Sequence, residues 1–170
     1  MSIDHVTATG QTQFPEYMLA ENQQSTPENL GLFDAAERGS LADVKSFLSK
    51  GAKPDFFHRP TDQKNSLHVA AEGGFVDIVQ TLLDAGAEVN AQSASDHCTA
   101  LTLAALGENP ELVGLLVDRG AKIDHGNGYG NTALHEACHV GNTATAKALV
   151  AAGASVHGLY SENHKGSSPL

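Results

Sequence analysis

The chain has 170 residues, a formal net charge of −10, 5% aromatic residues and no tryptophan. Such a charge repels nucleic acid and anionic membrane surfaces, which excludes both as general partners. Cys98 and Cys138 are too few for a disulfide framework or a four-cysteine zinc site, and they are typical of a reducing compartment. The sequence shows no signal-peptide pattern at its start and no apolar run that could cross a bilayer. We therefore expect a cytoplasmic protein, with a nuclear location as the alternative.

The first 29 residues differ from the rest of the chain. They are polar, contain four acidic residues and no lysine or arginine, and show no sustained periodicity. This composition predicts a flexible acidic arm over residues 1–29, in which the stretch FPEYML could dock on the first folded unit.

The sequence from about residue 30 onwards repeats itself. The blocks SLHVAAEGG, ALTLAALGE and ALHEACHVG align on Leu67, Leu101 and Leu134, which lie 34 and 33 residues apart. A second shared block follows each leucine, as LLDAGAEVN, LVDRGAKID and LVAAGASVH. An earlier unit places Leu32 at the aligned position, and a later one places Leu170 there. A fixed period of this length indicates a repeat architecture.

Each unit contains the pattern of two helices followed by a turn. The first helix begins just before the aligned leucine and carries paired small residues, such as Ala70 and Ala71, that let neighbouring helices approach closely. The second, as in FVDIVQTLLDAG, places Val79 and Leu82 on one face at helical spacing. Pro110 suits the first position of another second helix. A glycine ends each second helix, where a left-handed backbone is needed: Gly51, Gly86, Gly120 and Gly153.

This pattern resembles the ankyrin repeat, whose mark is T-P-L-H-x-A at a period of about 33 residues. The units here have NSLH, TALT and TALH, then SSPL at the end, so none has an intact TPLH. The resemblance implies an all-α ankyrin-repeat solenoid of stacked helix-turn-helix units with β-turn fingers. We predict an ankyrin-repeat domain over residues 30–170, with repeats at about 30–59, 60–93, 94–126 and 127–162 and a partial repeat at 163–170.

The string HEACH at residues 135–139 matches the H-E-x-x-H zinc motif. The repeat alignment explains it differently, because His135 lies at the position of His68, where the resemblance implies a hydrogen-bonding histidine that ties repeats together. Cys138 lies at a small buried position, and His139 lies at an outward-facing one. A zinc protease also needs a third ligand, which no residue here marks.

Two further patterns suggest chemistry without supporting it. GNGYGN at residues 126–131 lacks the lysine of a phosphate-binding loop and falls in a finger, where we expect glycine and asparagine to supply positive φ. Histidines scatter over separate turn tips: His58, His97, His125 and His164. We therefore predict a protein that is not an enzyme, with no catalytic residue, no metal and no cofactor.

The predicted function is a non-catalytic, monomeric module that binds another protein through its concave face and finger tips. The predicted contact residues are Phe57, His58, Arg59, Asp96, His97, Tyr129, Tyr160 and His164 on the tips, and Arg38, Glu72, Leu106 and His139 on the first helices. Aromatic and arginine anchors carry most interface energy, which favours Phe57, Arg59, Leu106 and Tyr129. The alternative is that Phe56 and Phe57 pack back on the scaffold and that Leu106 is a scattered surface leucine.

Two other functions remain open. The repeats could be the targeting or regulatory arm of a longer, possibly enzymatic polypeptide, because the chain stops at Leu170 in the middle of a unit. The segment LLDAGAEVN also resembles the site of the asparaginyl hydroxylase that modifies ankyrin repeats, with Leu82, Glu88, Val89 and Asn90 at the matching positions. The simpler alternative is that Asn90 bridges its turn by hydrogen bonds.

Overall fold

A computed structural model describes residues 26–58 and 64–156. These residues form eight helices in four pairs. The first helices of the pairs are α1 (Pro27–Glu37), α3 (Ser66–Glu72), α5 (Ala100–Leu106) and α7 (Ala133–His139). The second helices are α2 (Leu41–Ser49), α4 (Val76–Asp84), α6 (Pro110–Asp118) and α8 (Thr143–Ala151). The predicted all-α solenoid is confirmed, and α1 begins at Pro27, within the segment predicted as an arm.

The core lies between the stacked pairs. α3 packs between α1 and α5, and α5 packs between α3 and α7. The four aligned leucines are buried, with at most 1% of each exposed: Leu32, Leu67, Leu101 and Leu134. The small pairs Ala70–Ala71 and Ala104–Ala105 are buried beside them and allow the close approach of the first helices. Cys138 differs from the expectation, because it is only partly buried while still packing against the core.

Helix ends follow the sequence signals. Thr26 and Asn65 cap α1 and α3 through their side chains. Asn109 accepts the N–H of Leu112 at 3.1 Å, with Pro110 as the first residue of α6. The glycines that follow the second helices all have positive φ: 90° at Gly51, 92° at Gly86, 88° at Gly120 and 99° at Gly153. An added Cβ would meet nothing within 4 Å at these positions, so the backbone conformation and not space requires glycine.

A set of hydrogen bonds, which we name the inter-repeat ladder, joins neighbouring repeats at the bases of the fingers. In each bond a side-chain oxygen of one repeat accepts a backbone N–H of the next repeat at 2.8 Å: Asp55 from Glu88, Asn90 from Lys122, and Asp124 from Ser155. Asn90 also donates its amide N–H to the carbonyl of Gly120 at 3.2 Å. The ladder fixes the register of one repeat on the next.

Within the described residues, only the first finger contains strands. β1 (Phe57–His58) pairs antiparallel with β2 (Lys64–Asn65), and Phe57 lies opposite Asn65. The expectation that asparagines supply positive φ in the fingers is wrong for the described residues, since the residue other than glycine with positive φ is His97, at 54°. In GNGYGN the positive φ belongs to Gly130, while Asn127 accepts the N–H groups of Tyr129 and Asn131 at 3.0 Å.

Candidate protein-binding surface

The last residues of the four first helices form a set that we name the helix-end row. Its members are Glu37, Glu72, Leu106 and His139, and all four are exposed. Arg38, which the sequence analysis assigned to this set, lies one residue beyond the end of α1 and is not equivalent to the others. Its guanidinium lies 3.7 Å from the carboxylate of Asp43. The equivalent residue of the first repeat is therefore Glu37, and the contact of Arg38 with a partner stays a prediction.

Large apolar side chains are exposed on and beside this row, and one of them is Val140, which follows His139 and is 48% exposed. Leu106 is 42% exposed at the end of α5, although the other members of the helix-end row are charged or polar. Tyr129 is 77% exposed in the third finger. The backbone beneath Tyr129 is fixed, because Gly128 donates its N–H to the carbonyl of Asp96 at 2.7 Å and Asn127 donates to Glu136 at 3.1 Å. An ordered loop thus presents an exposed aromatic ring.

The aromatic residues of the first finger are less available than the sequence suggests. Phe56 is buried with 5% exposure, so the packing-back alternative is correct for this residue. Phe57 is half-buried, and its ring lies 6.1 Å from that of His68. The ring of His58 stacks on Phe33 with 4.6 Å between centroids. Phe57 and His58 therefore support the finger as well as contributing to its surface.

Asp96 has a structural role in the second finger. Its carboxylate accepts hydrogen bonds from the hydroxyls of Ser93 and Ser95 and from the backbone N–H of Cys98. Burial alone would raise the pKa of Asp96, but these hydrogen bonds outweigh burial and lower it. The neighbouring His97 is exposed. Of this pair, His97 is therefore the side chain that remains available to a partner.

The aligned histidines are structural. The Nε2 atom of His68 lies 3.0 Å from the carbonyl of Ala91 and 3.1 Å from that of Cys98, so His68 ties its repeat to the next. Burial lowers the pKa of His68 and keeps the ring neutral at pH 7, although these two carbonyls act in the opposite direction. His135, the first residue of HEACH, lies 2.9 Å from the hydroxyl of Thr132 and caps α7.

The described residues contain no group of three or more histidine, cysteine or acidic residues that could hold a metal ion. Burial, followed by the nearby charge of Asp96, raises the pKa of Cys98 to about 11. At neutral pH this thiol is protonated and therefore a poor nucleophile.

Asn90 is engaged on both sides of its amide through the inter-repeat ladder. Both side-chain bonds reach the next repeat, at Gly120 and Lys122, and do not bridge the turn that contains Asn90. Hydroxylation stays a prediction, which a mass increase of one oxygen on the Asn90 peptide would test. The remaining assigned residues, Arg59, Tyr160 and His164, lie outside the described residues.

A pocket that the sequence analysis missed lies where α1, α3 and the first finger meet. It has a volume of about 180 Å³ and is lined by Phe33, Asp34, Glu37, His58, Lys64, Val69 and Glu72. We name it the α1–α3 pocket. Asp34 and Glu37 are three residues apart and so share one face of α1, a spacing that the sequence does contain. What the sequence does not show is that the first finger folds against this face.

The profile of the ankyrin-repeat family matches this chain in three copies, at residues 9–93, 32–127 and 67–159. The chain therefore belongs to the ankyrin-repeat family. Ankyrin repeats are a general protein–protein interaction module, and the family is generally non-catalytic. No helix in the two described segments is long and apolar enough to cross a membrane.

Several relatives are considerably longer proteins. The chain is 36% identical over 135 residues to Ankyrin repeat and KH domain-containing protein mask-1 of Caenorhabditis elegans. The aligned region covers 78% of this chain and 5% of that protein. It is 38% identical over 111 residues to the human Ankyrin repeat and KH domain-containing protein 1, covering 65% of this chain and 4% of that protein. It is 38% identical over 107 residues to the mouse Nuclear factor NF-kappa-B p105 subunit, covering 62% and 11% respectively.

Proposed function

We propose that this chain is a non-catalytic module that binds another protein through the helix-end row and the finger tips. The observation that carries the proposal is the exposure of Leu106 and Tyr129, at 42% and 77%. The stacking of repeats does not require an exposed leucine at the position of Leu106, because the row is charged or polar at Glu37, Glu72 and His139. Exposed leucine and tyrosine side chains gain free energy when a partner removes them from water.

The surface around these side chains is preorganised. Val69 and Leu103, on the same face of the first helices, are buried with 8% and 4% exposure and hold the helices in place. The hydrogen bonds of Asn127 to Tyr129, Asn131 and Glu136 fix the third finger. A partner would therefore meet a surface whose ordering cost has already been met in folding, which favours tight binding for a given area.

The proposal is tested by selecting binders from a random peptide library displayed on phage, with the full chain as bait. Enriched peptides are then synthesised and their affinities measured by calorimetry. Leu106→Ala should weaken binding by about tenfold, or about 1.4 kcal/mol, while the melting temperature remains nearly unchanged. Tyr129→Ala should act in the same direction.

Val150→Ala is the matched control, because Val150 is also 42% exposed but lies on the second helix α8. It should leave the affinity unchanged. If Leu106→Ala and Tyr129→Ala bind the peptides as tightly as the parent, or if Val150→Ala weakens binding equally, the helix-end row is the wrong surface.

A second candidate function concerns the protein that carries this domain. The chain corresponds to only 4–11% of the three relatives described above. These proportions support a targeting or regulatory arm within a longer polypeptide, as the names of two of these relatives indicate for repeats joined to a KH domain. The full reading frame tests this role: a further domain after Leu170 would support it, and its absence would favour a stand-alone adaptor.

A further inference from the structure

The α1–α3 pocket has an unequal charge balance. Asp34 and Glu37 extend from one face of α1, and Glu72 lies at the end of α3. Of the lining residues, Lys64 carries the permanent positive charge, and its ammonium lies 2.9 Å from the carboxylate of Glu72. The pocket lining thus contains three carboxylates and one ammonium, and the ammonium forms an ion pair with Glu72. Asp34 and Glu37 give the α1 side of the pocket a net negative potential.

Part of the wall of the same pocket is apolar. Phe33 and Val69 are buried to 7% and 8% exposure, and the ring of His58 stacks on Phe33 at 4.6 Å. A flat aromatic and aliphatic wall below a carboxylate rim matches a side chain with an apolar stem and a cationic head. Arginine and lysine have this form, and a guanidinium can bind a carboxylate with two parallel hydrogen bonds.

The N-terminal segment of the chain does not supply such a side chain. Residues 1–29 contain no lysine or arginine, so this acidic segment does not complement the pocket. A second copy also carries a net charge of −10 and is repelled at long range. Charge complementarity therefore favours a basic segment of a different protein.

We infer that the α1–α3 pocket receives an arginine or lysine side chain from an extended segment of the partner protein, whose apolar side chain about four residues away contacts Leu106. This inference rests on the proposed function and specifies the partner. Adjacent packed helices are about 8–10 Å apart, so the pocket between α1 and α3 lies roughly 12–15 Å from the end of α5. An extended chain advances about 3.3 Å per residue, which makes this span about four residues.

The peptides enriched by phage display test the inference. They should carry arginine or lysine about four residues from a leucine, isoleucine or aromatic residue. One such peptide is synthesised with arginine and with citrulline, which has nearly the same shape but no charge. Both forms are titrated into the full chain, into Asp34→Asn/Glu37→Gln, and into the control Asp77→Asn/Asp118→Asn. The control removes the same net charge from exposed positions on the second helices α4 and α6.

We expect Asp34→Asn/Glu37→Gln to weaken binding of the arginine peptide by about tenfold, and the control variant to change it less than twofold, because only the former carboxylates contact the guanidinium. Citrulline should weaken binding to the parent by a similar factor. It should cost nothing further in Asp34→Asn/Glu37→Gln, since the two changes remove the same interaction. Added salt should reduce the affinity of the arginine peptide more than that of the citrulline peptide.

The inference is overturned if enriched peptides lack basic residues, if citrulline binds as well as arginine, or if the two double variants lose affinity equally. In those cases a loss of binding in Leu106→Ala would leave the proposed function intact. If Leu106→Ala has no effect, the predicted spacing fails, and if Tyr129→Ala also has no effect, the proposed surface fails with it. The two failures are therefore distinguishable from one set of titrations.

Discussion

The helices α6 and α8 occupy equivalent positions in consecutive repeats but are held in different ways. At three aligned core positions α6 has Leu112, Val113 and Leu116, all fully buried, whereas α8 has Thr145, Ala146 and Leu149. The hydroxyl of Thr145 is buried and donates to the carbonyl of Gly107 at 3.1 Å. The later repeat therefore replaces apolar volume with a hydrogen bond. Because each buried methylene contributes about 0.8 kcal/mol, the two helices should differ in stability.

The first repeat shows the same trend as the last described one. In α2 the residue aligned with Leu112 and Thr145 is Asp43, which is exposed, and Val44 is the fully buried apolar residue of this helix. The two inner second helices are apolar at this position, whereas both outer ones are polar. The comparison indicates that the stability of the described solenoid is concentrated in repeats two and three.

The largest expected effect is a cavity in the inner part of the core. Leu116 and Leu149 are aligned and both fully buried. Leu116→Ala should reduce the free energy of unfolding by about 2–5 kcal/mol. Leu149→Ala should cost less, because α8 has smaller side chains at the aligned core positions and we expect its surroundings to relax around the change. Urea unfolding of the two variants measures the difference.

Hydrogen exchange of the parent protein provides an independent check. Amides of α7 and α8 should exchange faster than those of α3 to α6, because the outer repeat opens first. If exchange through α8 is as slow as through α4, or if Leu149→Ala costs as much as Leu116→Ala, stability is distributed evenly and the comparison is wrong.

Acid should reduce the difference in stability between the inner and outer repeats, because it destabilises the inner ones. Burial lowers the pKa of His68 below its ordinary value of 6.5, with the charge of Lys64 acting in the same direction and that of Asp96 against it. The unfolded chain therefore takes up a proton before the folded one does. Stability is complete above pH 6.5 and falls as the pH drops towards the folded pKa, by about 1.4 kcal/mol for each pH unit between the unfolded and folded pKa values. Urea unfolding at pH 7.5 and pH 5.5 measures this loss.

The third repeat supplies a control for this pH dependence, because threonines occupy the positions of Asn65 and His68. Thr99 and Thr102 lie 3.2 Å apart through their hydroxyls. The variant Asn65→Thr/His68→Thr should be less stable at pH 7.5, having lost the contacts to two carbonyls. It should nevertheless lose less stability than the parent between the two pH values. An unchanged pH dependence in this variant would assign the effect to other groups.

The smallest expected effect on stability comes from changing a residue of the inter-repeat ladder. Asn90→Ala removes the two hydrogen bonds that the Asn90 side chain makes to the third repeat and should cost about 1–2 kcal/mol. Asn90→Asp keeps the acceptor for Lys122, as Asp124 does for Ser155, and should cost less than half as much. Thermal unfolding compares the two variants. If the two variants lost equal stability, the hydrogen bond from Asn90 to Gly120, and not the one from Lys122 to Asn90, would be the one that stabilises this contact between repeats.

Periodic features were predictable from the sequence, and features formed by contact between distant segments were not. The aligned leucines and the glycines after the second helices recur at a fixed spacing, and each meets a local requirement that any repeat must satisfy. Leu106 could also be identified, because it departs from an otherwise polar position. The α1–α3 pocket depends on His58 stacking on Phe33, which brings a finger against a helix 25 residues earlier. The periodic pattern of the sequence does not predict a contact of this kind.

Two local predictions differ from the structure. Arg38 was grouped with the first-helix residues, although LFDAAERG aligns with LHVAAEGG and so puts Glu37 at the position of Glu72. Asn127 was expected to adopt positive φ, but its side chain instead closes the turn by accepting two N–H groups. Composition identifies a turn residue without distinguishing these two uses. Only the hydrogen-bond partners separate them.

The inter-repeat ladder bears on how such a chain can change its length during evolution. Every joint uses the same pair of groups, a side-chain acceptor at one position of a unit and a backbone donor at another. A gene deletion of one whole period, which joins Asn90 directly to the segment after Asp124, would place Asn90 opposite the N–H of Ser155. The ladder bond would form again without a substitution at either of its two positions. Gain or loss of a unit is therefore a single genetic step that leaves each ladder bond with both of its partners.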